Sequence, residues 1–402
     1  MGDPVVAELF GYGSLNYSGE PVSEMTALNL SAVYRSVNLI AGTIASLPLQ
    51  TLTVAEGRRQ TVRSFLDNPA GAASEVGLQT PFSWKETVVL HLLLHGDAFL
   101  LHRYGGAGQL IGLLPVHPSY VTVEWNDRAP GGKLYKIHLD GREPLVKDAR
   151  GMTQVMGPSL DRLRGMSPIR FARNSLGTAL AGDRSAARMF RNGGAYNIIV
   201  TPEEDVTKDE AETIKADLQA KMTGPENAGE IAVINRKLKL SPWSMSAEDA
   251  QFLQSRTFQI EEIGRWWGVP PHLLGLTEKS TSWGTGLSEQ NRGLARHVLM
   301  PWTLRLQEAL STLVENPRLV EFDFSGYLKP SPEDEVRLLI EQIDSGLLTL
   351  NEARAQRNLP PVEGGDIPRQ GFAQPVQSDQ PNQLGQPENT NGRGTNLLSQ
   401  AR

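Results

Sequence analysis

His91 and His95 stand four residues apart, the spacing at which two imidazoles share one helical face and can hold a zinc ion. A metalloprotease sets its general-base glutamate directly after the first histidine, but Leu92 occupies that position and the sequence nominates no third ligand. The pair therefore reads as core or interfacial histidines. Gly11 to Leu15 (GYGSL), Gly105 to Leu110 (GGAGQL) and Gly284 to Leu287 (GTGL) are rich in glycine. They lack both the strand-to-helix context and the Gly-Lys-Ser/Thr ending of a phosphate loop, so they read as turns or mobile loops. Gly-x-Ser-x-Gly is absent, as is cysteine. No catalytic residue, cofactor site or metal ligand is assigned, and the chain is expected not to be an enzyme.

Two further groups have the chemistry to touch a macromolecule. Trp266 and Trp267, with Trp283 and Trp302 near them in sequence, could stack on single-stranded bases, although helix packing is the plainer role. Arg184, Arg188 and Arg191 form a basic stripe on a helix opened by Ser167 and Pro168, suited to DNA or, by preference, to an acidic face of a neighbouring subunit. Gly177, Ala179, Ala181, Gly182, Ala186 and Ala187 keep one side of that helix slim enough for another helix to approach. Glu203, Glu204, Asp205, Asp209 and Glu212 give the insert that follows an acidic surface for a basic partner.

The elements that must hold these groups follow from periodicity and caps. Val33, Val37, Ile40 and Ile44 mark a buried helix that Pro48 ends, leading into a strand over Leu49 to Val54. Ser83-Trp84-Lys85-Glu86 reads as a capping box for a helix that Gly96 stops, and two apolar strands flank Gly105, Gly106 and Gly108. Lys133 to Leu139 alternates as a further strand, so residues 25–160 are α+β. From Ser167 to Asn192-Gly193-Gly194 the signals predict one rod of about 25 residues, roughly 37 Å long. Strands at Asn197 to Val200 and Ile231 to Ile234 enclose a helix boxed by Thr207 and Glu210 and stopped at Gly224-Pro225.

Ser246 caps a second long helix, in which Phe252, Leu253, Ile260, Ile263 and Trp267 lie mostly on one side before Gly268 and Pro270 end it. The loop from Thr277 to Gly286 has too little apolar matter to anchor, so Thr277, Lys279, Ser280, Thr281, Trp283, Gly284 and Gly286 are expected to be mobile. Ser288 caps the next helix, where Pro301 removes an amide and predicts a kink. Val320 and Phe322 alternate as a strand, and Ser331-Pro332 starts a small helical unit. Residues 1–24 read as an arm ordered only when something holds it, a neighbouring subunit being one candidate, and 367–402 as a disordered tail.

The 402 residues suffice for two or three domains, and the formal net charge of −6 is the wrong sign for holding nucleic acid by its phosphates. A conduit through which DNA slides is compatible with that charge, because strong phosphate contacts would act as a brake. The absence of cysteine suits a reducing compartment. Met1-Gly2-Asp3-Pro4 offers neither a basic leader nor a myristoylation pattern, and Thr87 to Leu101 falls short of the ~20 apolar residues that span a bilayer, so no membrane partner is expected.

The segments Ser31 to Gln50, Leu92 to Leu101, Gly112 to Val123, Gly165 to Gly194, Phe252 to Gly275, Leu299 to Leu310 and Gly346 to Asp366, in this order and spacing, resemble the portal proteins of tailed bacteriophages, the siphovirus-type head-to-tail connectors. The loop WGTGLSEQ is richer in glycine than that family's pattern. The resemblance implies an α+β, multidomain portal fold with wing, helical stem, small α/β clip and helical crown, assembling into a dodecameric ring at one capsid vertex. It implies a flexible arm over 1–24 and a wing from 25–160 with 291–329. Stem helices would occupy 161–193 and 246–269, a clip 194–245, a tunnel loop region 270–290 and a crown 330–366. The implied partners are further copies of the chain, the large terminase, a head-tail adaptor, major capsid and scaffolding proteins, and double-stranded DNA passing without sequence preference. The implied location is the virion, with assembly in the host cytoplasm. Readings from other classes are a capsid-associated α+β nuclease or protease, and a monomeric DNA-binding protein.

Overall fold

Ser23 accepts the amide of Thr26, and the Thr26 hydroxyl accepts that of Ser23, a reciprocal cap that opens the five-residue helix α1 (Glu24–Leu28). In this computed structural model the described residues are 16–55, 57–71, 79–139, 141–191, 198–202, 206–222, 238–242, 248–276, 285–328 and 332–368. They belong to two compact units, divided after Leu328. In the first, α2 (Ser31–Ser46) buries Val33, Val37, Ile40 and Ile44, and Pro48 leads into β1 (Leu49–Ala55), as the spacing predicts. β1 pairs antiparallel with β2 (Arg58–Val62).

The next helix, α3 (Pro81–His95), starts earlier than the Ser83 capping box predicts. Thr80 accepts the amide of Ser83 at 3.1 Å, and Pro81 at the first helical position has its φ already set for a helix. Gly96 closes α3 in the left-handed conformation (φ +79°). α3 packs on α2, and its Trp84 is buried with the indole N–H donating to the Leu113 carbonyl at 2.8 Å. Burial of each such large side chain stabilises by about 1.5–3 kcal/mol.

Two small sheets follow. β3 (Asp97–Tyr104) lies between β4 (Leu110–Val116) and the later β8 (Met152–Met156), all antiparallel. β5 (Val121–Trp125), β6 (Lys133–Ile137) and β7 (Leu145–Lys147) form the second, and Phe99, Val121, Tyr135, Ile137 and Met152 make a separate small core between the two. Asp97, fully buried, accepts from Arg164 Nε at 2.7 Å and from Gln154 Nε2 and the Gly165 amide at 2.9 Å each. This ties the start of β3 to the segment that enters the next helices.

The predicted 25-residue rod is instead a short α4 (Pro168–Phe171) and a 19-residue α5 (Arg173–Arg191). The interruption is at buried Ala172, whose φ of −80° and ψ of 3° leave the α region. Asn192, Gly193 and Gly194 lie outside the described residues. β9 (Ile198–Pro202) pairs antiparallel with β10 (Leu238–Pro242), a strand the sequence reading did not predict; Ile231 to Ile234 and Gly224-Pro225 lie outside the described residues. Between the strands, α6 (Lys208–Met222) opens with Glu210 accepting from the Thr207 amide at 2.9 Å, as predicted.

α7 (Glu248–Trp267) ends at left-handed Gly268, where a β-carbon would stand 3.0 Å from the Val298 side chain. Ser246 is outside the described residues. α8 (Thr285–Leu294) begins three residues before Ser288, which is therefore not its cap. Ahead of Pro301, where a kink is expected, a π-turn runs over Ala295–Leu299 with the Met300 amide donating to the Ala295 carbonyl, and α9 (Met300–Ser311) continues from it. The wider turn absorbs the amide that proline lacks without breaking the helix. β11 (Leu319–Phe322) then returns to pair with β1.

The main core gathers α2, α3, α9 and the base of α5 and α7 around Ile40, Leu92, Leu176, Ile263, Leu299 and Leu306. The second unit contains α10 (Pro332–Asp344) and α11 (Leu350–Gln356), the latter boxed by Thr349 and Glu352. In it, buried Asn351 donates to the Val362 carbonyl and to Asp366.

Candidate functional site

The long helices α5 and α7 pack together, and the residue types explain how. On α5, Leu176, Ala179 and Ala186 are buried on one side, so little side-chain bulk separates it from its neighbours. Gly182 faces the Gln259 side chain, and Asp183 accepts from Arg256 of α7 at 2.8 Å. The start of α5 and the end of α7 both enter the main core, through Leu176 and through Ile263 and Trp267, while Asp183 meets Arg256 farther along each, so the chain returns along the helix it left by. Both members of the Asp183–Arg256 pair are nearly half exposed, which limits that bridge to about 0–1 kcal/mol.

The slim side of α5 has a second occupant. A β-carbon on Gly177 would overlap Asn16 Nδ2 at 1.7 Å, and that amide donates to the Arg173 carbonyl at 3.3 Å. Glu20 holds Arg184 Nη1 at 2.7 Å. Residues 16–20 are therefore held by the chain's own helix. Of the basic stripe, Arg184 is engaged by Glu20, Arg188 is exposed, and the side chain of Arg191 lies outside the described residues.

The tryptophan pair divides. Trp267 is buried and its indole donates to the Leu93 carbonyl at 3.0 Å, a packing role, whereas Trp266 is 42% exposed. Phe258 on the outer side of α7 is 53% exposed and lies 5.5 Å from the Arg265 guanidinium. Trp302 is half-buried beneath Arg305. Thr277, Lys279, Ser280, Thr281, Trp283 and Gly284 lie outside the described residues, and Gly286 falls in the first turn of α8. Glu203, Glu204 and Asp205 are outside as well, while Asp209 and Glu212 are exposed on α6.

The histidines form a cluster that spacing alone did not show. His95 Nε2 and His117 Nε2 lie 3.0 and 3.3 Å from the same Glu24 oxygen. His117 meets the rings of His95 and His91 edge-on, with centroids 4.9 and 5.2 Å apart. Hydrogen bonds from His117 and His95 hold the Glu24 carboxyl far below its usual range. Burial, reinforced by the neighbouring imidazoles, pushes His91 down to about 3, so it is neutral at physiological pH. The pair at the sequence-suggested spacing is thus split between a packing residue, His91, and a member of the cluster, His95. Glu24 precedes His95 by 71 positions, a separation that carries no local signal. Glu24, His95 and His117 are the candidate metal-holding group among the described residues.

Comparison with known proteins gives a consistent result. The family model for phage portal proteins matches residues 31–358. The chain is similar to a probable portal protein of Streptomyces phage phiC31, 32% identical over 90% of this chain and 82% of that one. It is 29% identical to the portal protein of Enterobacteria phage HK97, over 86% of this chain and 82% of that one. Among solved structures, an HK97-family phage portal protein from Corynebacterium diphtheriae superposes with a TM-score of 0.58 at 18% identity, over 77% of this chain and 99% of that one. A chain in the neck of a gene transfer agent particle, computed with C12 symmetry, gives 0.56 at 22% identity, over 84% and 92%.

Proposed function

Because this chain belongs to the phage portal protein family, we propose that twelve copies close into a ring at a unique capsid vertex. Double-stranded DNA would enter through that ring during packaging and leave through it on ejection. The observation that carries this reading is the family match over residues 31–358, which takes in both long helices and the module between them. The names of the curated relatives are those of a structural component rather than an enzyme.

In the same reading α5 and α7 are the stem, the β9–α6–β10 module the clip, residues 25–160 with 291–329 the wing, 270–290 the tunnel region and 330–366 the crown. The returning path of α7 along α5 supports the stem, since such a hairpin places the intervening module at one end of a helix pair. Exposed Phe258 and Trp266 on α7 give that pair an apolar outer side suited to a neighbouring copy. Asp209 and Glu212 on α6 are positioned for a basic surface on the large terminase or a head-tail adaptor. The net charge of −6 suits a bore that DNA slides through.

Gel filtration with light scattering and negative-stain electron microscopy of the purified chain test the reading. Annular particles of about twelve subunits are expected. A monomer at micromolar concentration, with no annular particles, would overturn the ring.

A further inference from the structure

We infer that Glu24, His95 and His117 form a binding site for a divalent transition metal of the zinc class. The three residues come from separate parts of the fold: the first residue of α1, the last of α3, and the link between β4 and β5. Their ligand atoms all lie within 4.8 Å of one another. Zinc bonds of about 2.0–2.1 Å make the edge of a coordination tetrahedron about 3.3–3.4 Å. The separation from Glu24 Oε2 to His117 Nε2, 3.3 Å, has that dimension, and the one to His95 Nε2, 3.0 Å, is about 0.3 Å short of it.

One carboxylate and two imidazoles are a donor set that zinc accepts, with the fourth position left to a solvent ligand. Side-chain exposures of 24%, 22% and 34% allow that ligand in. Metal binding requires the lone pair of His117 Nε2 to face the ion, which places the ring proton on Nδ1. Ser119 Oγ lies 2.6 Å from Nδ1 and can accept a hydrogen bond from it, orienting the ring as second ligands do around bound zinc, while the Ser119 amide, which donates to Nδ1 at 3.3 Å in the metal-free ring, gives up that bond. Arg170 and Arg173 line the adjoining pocket and oppose a bare dication, so binding is expected to be weaker than in an all-protein, four-ligand site.

Occupancy would join α1 to the end of α3. The residues just before α1 are the ones that Asn16 and Glu20 fasten to α5, so a metal at Glu24 would complete a clasp holding this segment on the body of the chain. The competing description is a metal-free clasp, in which both imidazoles donate hydrogen bonds to Glu24.

The experiment uses the full chain, stripped with a chelator and titrated at pH 7.5 with zinc by calorimetry and with cobalt by visible absorption. Expected are one equivalent per chain, the intense d–d bands of tetrahedral cobalt, and a melting temperature that rises with zinc. Glu24→Gln and His117→Ala should each weaken binding at least roughly ten-fold, and Ser119→Ala should weaken it less. His138→Ala, at the exposed imidazole beside Thr122, should bind as the unaltered chain does. Glu24→Gln keeps the side-chain shape, so the comparison stands even where His117→Ala fails to fold. No saturable binding, or binding indifferent to Glu24→Gln, would overturn the site and leave the hydrogen-bonded clasp.

Discussion

Replacing Asp97 by asparagine removes one charge without changing shape, and the geometry around it sets the cost. Oδ2 accepts from Arg164 Nε at 2.7 Å, while Oδ1 accepts from both Gln154 Nε2 and the Gly165 amide at 2.9 Å. Every neighbour is a donor, so an asparagine amide must point its own N–H groups at one of them in either orientation. A broken buried pair costs about 3–5 kcal/mol, made up of a lost charge-assisted bond and a donor left facing a donor. Arg164 is 28% exposed and keeps its bond to the Val121 carbonyl, so water can recover part of the loss; we expect about 3 kcal/mol, the lower end of the range. Arg164→Ala should cost more, because it strands a fully buried carboxylate. Urea unfolding followed by far-UV circular dichroism, at one fixed protein concentration so that any association is held constant, reads both. The reasoning fails if Asp97→Asn costs under about 1 kcal/mol, or if Arg164→Ala proves the milder of the two.

At Gly165 a β-carbon would stand 1.8 Å from the Gly96 carbonyl oxygen and 3.1 Å from the Gly157 nitrogen, all backbone atoms that no rotamer change can move. Gly165→Ala should therefore destabilise by about 3 kcal/mol or more, and a soluble variant with an unchanged urea midpoint would contradict this. Burial and the nearby Asp97 raise the Tyr135 phenol from 10.0 to about 12. An unfolded chain loses that proton near 10 while the folded chain keeps it, so stability should fall with rising pH between these values, by roughly 1.4 kcal/mol per unit. Tyr135→Phe should flatten the slope relative to the unaltered chain, and equal slopes would show that Tyr135 is not the cause. Deleting Ser280 to Gly284 tests the tunnel-loop proposal: rings should still assemble while packaged or retained DNA falls. Normal packaging would remove the loop from the mechanism, and loss of the ring would make it structural.

Signals read correctly from the sequence were those whose partners are close in the chain. Ser167 with Pro168, Thr207 with Glu210, and the left-handed glycines Gly96 and Gly268 set helix ends within four residues. Where two local signals competed, the choice went wrong: Thr80 with Pro81 outweighs Ser83, and α8 begins at Thr285 rather than after Ser288. Contacts across long separations left no local trace. Asn16 reaches Arg173 across 157 positions and Trp267 reaches Leu93 across 174, so neither the seating of the arm nor the split of the tryptophan pair follows from periodicity. His117 and Glu24 joined His95 in the same unannounced way. A deeper limit concerns apolar residues at helical spacing. Leu306 and Leu310 are wholly buried in α9, whereas Leu304, two residues before Leu306 and on another side of the helix, is 54% exposed, and Phe258 and Trp266 on α7 are exposed as well. The hydrophobic driving force is non-directional, so a pattern of apolar side chains reports that a face is to be covered without stating by what. A face covered by the chain's own core and a face left at its surface can carry the same residue types, and only the fold separates them.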